Sequence, residues 1–313
     1  MCYSALVTQN AKDLGLAFDA RIQLQQFDDL FTARLNGYGA KIPRGIEASF
    51  LERPTSLVEL NIAKNIRAYH QLELAQLEKE LLENEDRLAG AERSLMAKVT
   101  KKAQNDQRIA LGKMERLKVK IDVLRSGSIS ETDSRIYPGH YASLVYQKDG
   151  QRWVAPFRYL LRPKGFQEDF DKKYSGCYNA RRDNLGGSFW KPIFGRNHGV
   201  FQMKSFWENV KRTVDGTESK NVVLRFDPQD SDRMIVPCIF DLNTEGKFPL
   251  WSFALITDEP NPEVAAAGHD RTPIILKPEN LERWLKTPET DLNLFQAVLE
   301  DKKSTFFQHV VAA

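Results

Sequence analysis

The sequence predicts an α+β fold, with a mostly antiparallel, barrel-like sheet, flanking helices and an inserted antiparallel helical hairpin. Two patterns predict it. Between Leu57 and Arg125 there is no proline, Gly90 and Gly112 are the only glycines, and apolar residues recur at alternating spacings of three and four. After Ser126-Gly127-Ser128 the chain breaks into short aromatic and β-branched runs with few helical stretches between them. Side chains repeat about every 3.6 residues on a helix face and every second residue on a strand face, so the two patterns describe different kinds of element.

Taken in chain order, helical patterning first appears over residues 23–33. Pro54-Thr55-Ser56 then closes a segment, and Ser56 with Glu59 has the form of a capping box, a hydroxyl followed three residues later by a carboxylate. Leu74, Leu77, Leu81, Asn84, Leu88, Ala91 and Leu95 form the seam of a first long helix; Met114, Leu117, Ile121 and Leu124 form that of a second. The polar stretch 101–106 is read as the reversal between them. Residues 142–147 and 152–159 predict a β-hairpin about Lys148-Asp149-Gly150. Further strands are expected at 199–206, 222–226, 234–240, 251–257 and 272–276, and a last helix at 280–285. Residues 2–56 and 127–313 are therefore expected to form one discontinuous domain, and 57–126 the hairpin insertion. The two helices of that insertion pack on each other, and its outer surface offers a place for a protein partner or for self-association.

Composition bounds the class. With 313 residues, 42% hydrophobic and 28% charged, the chain is neither globally disordered nor a fibrous repeat. No run approaches the roughly 18 apolar residues of a membrane span, and no membrane association is expected. The start, Met1-Cys2-Tyr3-Ser4-Ala5, lacks the basic and apolar regions of a secretory signal. Cys2, Cys177 and Cys238 cannot all pair and show no zinc-ligand spacing, which points to a reduced, cytoplasmic setting. His70, His140, His198, His269 and His309 form no ligand motif, so no metal and no cofactor are expected. The net charge of +3 neither demands nor excludes nucleic acid.

Four positions carry candidate chemistry. Removal of Met1 would leave Cys2 with a free α-amine and a thiol, whose ordinary pKa values near 8 and 8.5 give both a reactive fraction around neutrality. Such a 1,2-aminothiol condenses with an aldehyde to an imine and closes to a thiazolidine. Read alone, Cys2 is equally open to being a cysteine that merely follows the initiator. Glu208, in Ser205-Phe206-Trp207-Glu208-Asn209, sits between aromatics that would desolvate its carboxyl and suit it to proton transfer; a partly exposed strand-end glutamate is the plainer alternative. His269 precedes an apolar run and is read either as an oxygen-orienting imidazole or as a structural residue. Asn179-Ala180-Arg181-Arg182 offers an amide and two guanidinium groups. Between Arg158 and Arg196 nine basic residues stand against four acidic ones, with Phe189, Trp190 and Phe194 interleaved. That pattern suits single-stranded nucleic acid, cations meeting phosphates and rings meeting bases, and equally a solvated loop with core aromatics.

Met1-Cys2, Asn179-Ala180-Arg181, Phe206-Trp207-Glu208 and His269-Asp270-Arg271-Thr272-Pro273 follow one another in an order that resembles the SRAP (SOS response-associated peptidase) family. The closing Lys277-Pro278-Glu279-Asn280-Leu281-Glu282-Arg283-Trp284-Leu285 is also similar to that family's end. The resemblance covers residues 2–56 and 127 to about 290, outside the hairpin. It implies processing of abasic sites in single-stranded DNA, captured covalently through the mature N-terminal cysteine, in a nucleoid-associated role. Cys2 would be the nucleophile, Asn179 the amide holding it, Glu208 the acid/base and His269 the group that steadies the opened sugar. Arg181 would contact phosphate. Arg182, Arg271, Tyr3 and Trp190 complete the expected DNA contacts. The family's more usual Cys-Gly-Arg start is here Cys2-Tyr3-Ser4, which removes one arginine and leaves Tyr3 to stack on a base. Two other classes of function remain open: a thiol peptidase using Cys2, His269 and Glu208, which removes Met1, and an interaction module acting through the hairpin.

Overall fold

The computed structural model describes residues 3–312 apart from 215, 216, 231, 232, 287 and 289. In chain order the elements are β1 (Ser4–Val7), α1 (Ala11–Phe18), β2 (Arg21–Ile22), α2 (Leu24–Leu35), α3 (Arg44–Leu51), α4 (Leu57–Ala97) and α5 (Lys101–Ser126). They continue with β3 (Arg135–Ile136), β4 (Tyr141–Lys148), β5 (Gln151–Tyr159), α6 (Phe170–Lys173), β6 (Asn179–Arg181), β7 (His198–Val214) and β8 (Thr217–Pro228). The last are β9 (Met234–Asn243), β10 (Leu250–Asp258), α7 (Pro262–Ala266), β11 (Thr272–Pro273), α8 (Leu281–Leu285), α9 (Leu292–Glu300) and β12 (Phe307–Val311). This is an α+β fold, and its strands join in one sheet.

The long strand β7 organises that sheet. Its first half pairs antiparallel with β9, and its second half with β8 and β1. β4 joins β7 through Val145↔Val200 and Tyr146↔Gly199, and β10 joins β5 in parallel through two residue pairs, so the strands curl into a partial ring. Inside lies an aromatic core with Phe157, Tyr159, Phe201, Phe206, Phe226 and Phe253 all fully buried. A second core fills the space between the sheet and the helices, and includes Phe27, Phe50, Ile62, Ile66, Trp284 and Phe295.

The predicted β-hairpin is β4–β5, and Asp149 and Gly150 both take positive φ (52° and 74°), the two-residue turn whose twist matches the strands it joins. The two long helices also form as predicted, with Leu77, Leu117 and Ile121 buried between them. Their reversal, however, is not 101–106. Those residues are helical, because Thr100 accepts from the Ala103 amide (3.2 Å) and caps α5, which leaves the turn to Lys98-Val99-Thr100. Ser56 caps α4 at the Glu59 amide (3.2 Å), but Glu59 turns its carboxylate to the backbone N–H and hydroxyl of Thr55. The first turns of α4 belong to the main core, where Ile62, Ala63 and Ile66 are fully buried. The expected strand 272–276 is only two residues long, followed by a bridge from Leu276 to Lys302. Among the described residues no helix is long and apolar enough to cross a membrane.

Candidate active site

The site is assembled by strand pairing between distant parts of the chain. β1 lies antiparallel to β7 with Ser4 opposite Trp207 and Ala5 opposite Phe206, so Tyr3 arrives beside Glu208. The Tyr3 backbone amide donates to the Glu208 carboxylate. Cys2, the expected nucleophile, lies outside the described residues, one position before this contact.

Glu208 shares a strand face with Phe206 and Val210, both buried, and is itself 1% exposed. Burial among apolar side chains raises its pKa, and the bonds from His269 and the Tyr3 amide only partly offset the rise. His269 is brought over β7 by Gly268, whose φ of 96° ends α7 and turns the chain back. Its Nε2 stands 3.1 Å from Glu208 Oε2. The opposite ring nitrogen, Nδ1, is 3.0 Å from the Arg271 carbonyl oxygen and 3.3 Å from the Arg271 amide. The two tautomers therefore both find partners. With Nε2 protonated, the ring donates to the Glu208 carboxylate and accepts from the Arg271 N–H. With Nδ1 protonated, it donates to the Arg271 carbonyl and accepts a hydrogen bond from the Glu208 carboxylic acid. One hydrogen therefore bridges the two side chains in either tautomer.

Asn179 is on β6, which runs parallel to β10 through Leu255↔Asn179. It is 7% exposed, its Oδ1 accepts from the Tyr159 hydroxyl (3.4 Å), and its Nδ2 has no hydrogen-bond partner among the described residues.

The expected DNA contacts divide. Tyr3 is 44% exposed and meets Tyr137 edge-on at 5.9 Å. Arg181 is exposed and forks onto Asp183 (2.6 and 3.1 Å). Arg182 is held by Asp258 (3.0 Å) and Glu300, and Arg271 by Glu259 (2.7 Å) with Asp183 at 3.8 Å. Trp190 is 6% exposed and packs edge-on to Phe189 within the helix-side core, so it offers no open face to a base. Arg158 and Arg162 both bind Asp171. Four of the nine basic residues of 158–196 are thus held in ion pairs, while Lys164, Lys172, Lys173, Lys191 and Arg196 are exposed, and the aromatics Trp190 and Phe194 belong to the core.

Sequence reasoning missed a different cation–aromatic cluster around Trp207, next to Glu208 in sequence and on the opposite face of β7. Arg135 pairs across from Leu6 on β1, donates to Ser4 Oγ (2.8 and 3.1 Å) and lies 3.8 Å over the Trp207 ring, with Arg225 5.3 Å from the same ring. Nothing in the local sequence marks Arg135; only the β3–β1–β7 pairing brings it to residue 207. Among the described residues no three His, Cys, Asp or Glu side chains converge to hold a metal ion.

A family model, described as SOS response associated peptidase (SRAP), matches residues 99–312, more than half of the chain. The chain belongs to the SRAP family. The SRAP match takes in Asn179, Glu208 and His269, and it begins at the hairpin reversal, so it extends over α5 as well as the sheet. Two curated relatives, each named abasic site processing protein YoqW, come from Bacillus subtilis (strain 168) and Bacillus phage SPbeta. Both are 31% identical over 125 residues, which is 39% of this chain and 53% of the relative. The aligned part spans about half the length of these relatives. Among solved structures, a protein from Bacteroides thetaiotaomicron aligns with a TM-score of 0.47 and 17% identity over 57% of this chain and 78% of that one. A phage-related protein from Bordetella bronchiseptica aligns with a TM-score of 0.44 and 17% identity over 57% and 81%.

Proposed function

We propose that this SRAP-family chain acts in the DNA damage response by capturing abasic sites in single-stranded DNA, through a thiazolidine formed with Cys2. The observation that carries the reading is the Tyr3 amide resting on a buried Glu208 carboxyl that also contacts His269 at 3.1 Å. An amine and thiol one residue upstream would then meet an acid/base pair already tuned for proton transfer. The YoqW relatives, named for abasic site processing, support the substrate class.

The chemistry balances as follows. The Cys2 amine adds to the open-chain sugar aldehyde to give a carbinolamine. Glu208, whose pKa burial raises, gives its proton to the departing hydroxyl, which leaves as water. The Cys2 sulfur adds to the resulting iminium carbon and closes the five-membered ring, and the thiol proton returns to Glu208. His269 orients the carboxyl and meets the freed sugar hydroxyl, and the unpartnered Asn179 Nδ2 holds the Cys2 backbone. Tyr3, Arg135 and Arg225 form the strand-binding rim, and Arg181 reaches phosphate by releasing Asp183.

Cys2→Ala tests this directly. Incubated with an abasic single strand, the wild-type chain should give an adduct that survives a denaturing gel, and intact mass should show loss of one water. The variant should give none. A full-strength adduct from Cys2→Ala overturns the mechanism.

The Glu208–His269 contact also favours a second reading, a thiol peptidase that removes Met1. If Glu208→Gln, expressed in the same host, loses Met1 as fully as the wild type, that reading fails and the capture reading stands.

A further inference from the structure

A cavity of about 500 Å³ lies where the helical hairpin leaves the core, well within the size range of small-molecule sites. Its charged lining comes from five separate elements or loops: Arg34 on α2, Lys41 before α3, Arg44 and Glu47 on α3, Glu73 on α4, and Lys120 on α5. Arg34 is 5% exposed. One of its terminal nitrogens, Nη1, donates to Glu47 Oε1 (2.6 Å), and the other oxygen of Glu47 is taken by His70 Nε2 (2.8 Å). The Nε and Nη2 of Arg34 then have no hydrogen-bond partner among the described residues. Arg44 repeats the arrangement: Nη2 donates to the Val123 carbonyl (3.4 Å), while Nε and Nη1 have no hydrogen-bond partner, Nη1 lying 3.9 Å from Asp133.

Buried guanidinium nitrogens without acceptors are uncommon, and here four of them belong to two side chains on one cavity. Lys41 and Lys120 add exposed ammonium groups to its wall. Against these four cations the lining carries two carboxylates, Glu47 and Glu73, and Glu47 is already engaged on both oxygens. Donors in such number, approaching from different elements, suit a tetrahedral dianion better than a planar carboxylate, which offers fewer acceptor sites. The remaining wall is apolar, from Ile42, Leu77, Val119, Val123 and Leu124, with Tyr38 and Tyr69 beside it. The Tyr69 ring is already stacked by Arg34 at 4.1 Å.

We propose that this cavity binds a phosphate monoester carried on an apolar or planar body, the chemistry shared by a free nucleotide and a phosphorylated strand end. The phosphate meets Arg34, Arg44, Lys41 and Lys120, and the body lies on the hairpin wall. Bound there, the ligand joins α5 to α2 and α3 and fixes the hairpin on the core.

Binding to the full-length protein tests the proposal, measured by calorimetry and by thermal midpoint. The probes are a nucleoside 5′-monophosphate, the unphosphorylated nucleoside, inorganic phosphate, and short oligonucleotides with 5′-phosphate or 5′-hydroxyl ends. The nucleoside monophosphate or the 5′-phosphorylated oligonucleotide should bind and raise the midpoint, and their unphosphorylated counterparts should not; which of the two binds identifies the source. Lys120→Gln, an exposed change that leaves the core intact, should weaken binding about tenfold, the worth of one charge-assisted hydrogen bond. Arg44→Gln should weaken it further. Failure of both phosphorylated probes to bind at millimolar concentration overturns the proposal. Wild-type affinity in both variants does the same, as does inorganic phosphate binding as tightly as the nucleotide.

Discussion

The hairpin and the strand core solve the same problem, burial of apolar surface, at opposite ranges of sequence. In the hairpin, Leu77 meets Leu117 and Ile121, residues carried by two helices joined by a three-residue turn. Further out the seam narrows to small side chains, Ala91, Ala103 and Ala110, all buried. In the strand core, Phe206 stacks on Phe226 (5.0 Å, nearly parallel) and meets Phe307 edge-on, while β1 comes from the chain start to cover the same strand. The hairpin needs only two consecutive helices to fold back on each other, whereas the core, and with it the site around Glu208, exists only when segments from four parts of the chain have come together.

That contrast can be broken by mutation. Phe206→Ala should cost most, about 3–5 kcal/mol, by the cavity it leaves in the fully buried aromatic stack; denaturant unfolding should show it, and adduct formation should fall with the loss of β1–β7 support. Glu208→Gln should leave the fold intact by circular dichroism while slowing capture about a hundredfold or more, the usual worth of a positioned general acid. In the wild type the capture rate should fall as pH rises through the elevated pKa of Glu208, and this limb should vanish in the variant. Leu117→Ala should cost about 2 kcal/mol, because Leu117 is 8% exposed and its seam can partly collapse, and it should leave capture unchanged. The smallest effect belongs to excision of residues 71–119 with a short linker: capture should stay within about twofold, as expected for a part remote from the reacting groups. A large loss there would make the hairpin part of the site.

A separate titration sharpens the same comparison. His198 is fully buried in the helix-side core, stacked on Trp284 at 3.9 Å, and burial lowers its pKa to about 3. Its folded pKa lies below the unfolded value near 6.5, so the stability it contributes is complete above that value. It is lost as pH falls from about 6.5 toward 3, at up to about 1.4 kcal/mol per unit. His198→Gln should flatten this part of the stability profile in chemical denaturation.

Elements with a local cause were legible in the sequence. The seam of α4 and α5, the Ser56 cap, the Asp149-Gly150 turn and the glycine stop at Gly127 each follow from neighbouring residues. The short strands β1, β6 and β12 were not read, because three to five residues are too few to show a period, and the short helices α1, α3 and α9 were not read either. At the site, Glu208 and His269 stood 61 positions apart in sequence and touch in the fold, a contact motif order suggested but spacing never would. The arginines and aromatics of the basic loop are placed by partners that its own sequence does not show. A count of charges is blind to where each carboxylate sits: Asp171 takes both Arg158 and Arg162, and Arg182 is held by Asp258 from outside the segment. Arg135 was invisible for the converse reason, since it acts through a strand neighbour contributed by the other end of the chain.

One unbroken helix, α4, begins in the main core at Ile62 and Ile66 and ends at Ala97, and between its cap and Gly90 it holds neither proline nor glycine. At about 1.5 Å per residue its projecting part is on the order of 45 Å long. It projects as a cantilever: with neither proline nor glycine between its root and Gly90, a load along that length is passed toward the core around Ile62 and Ile66.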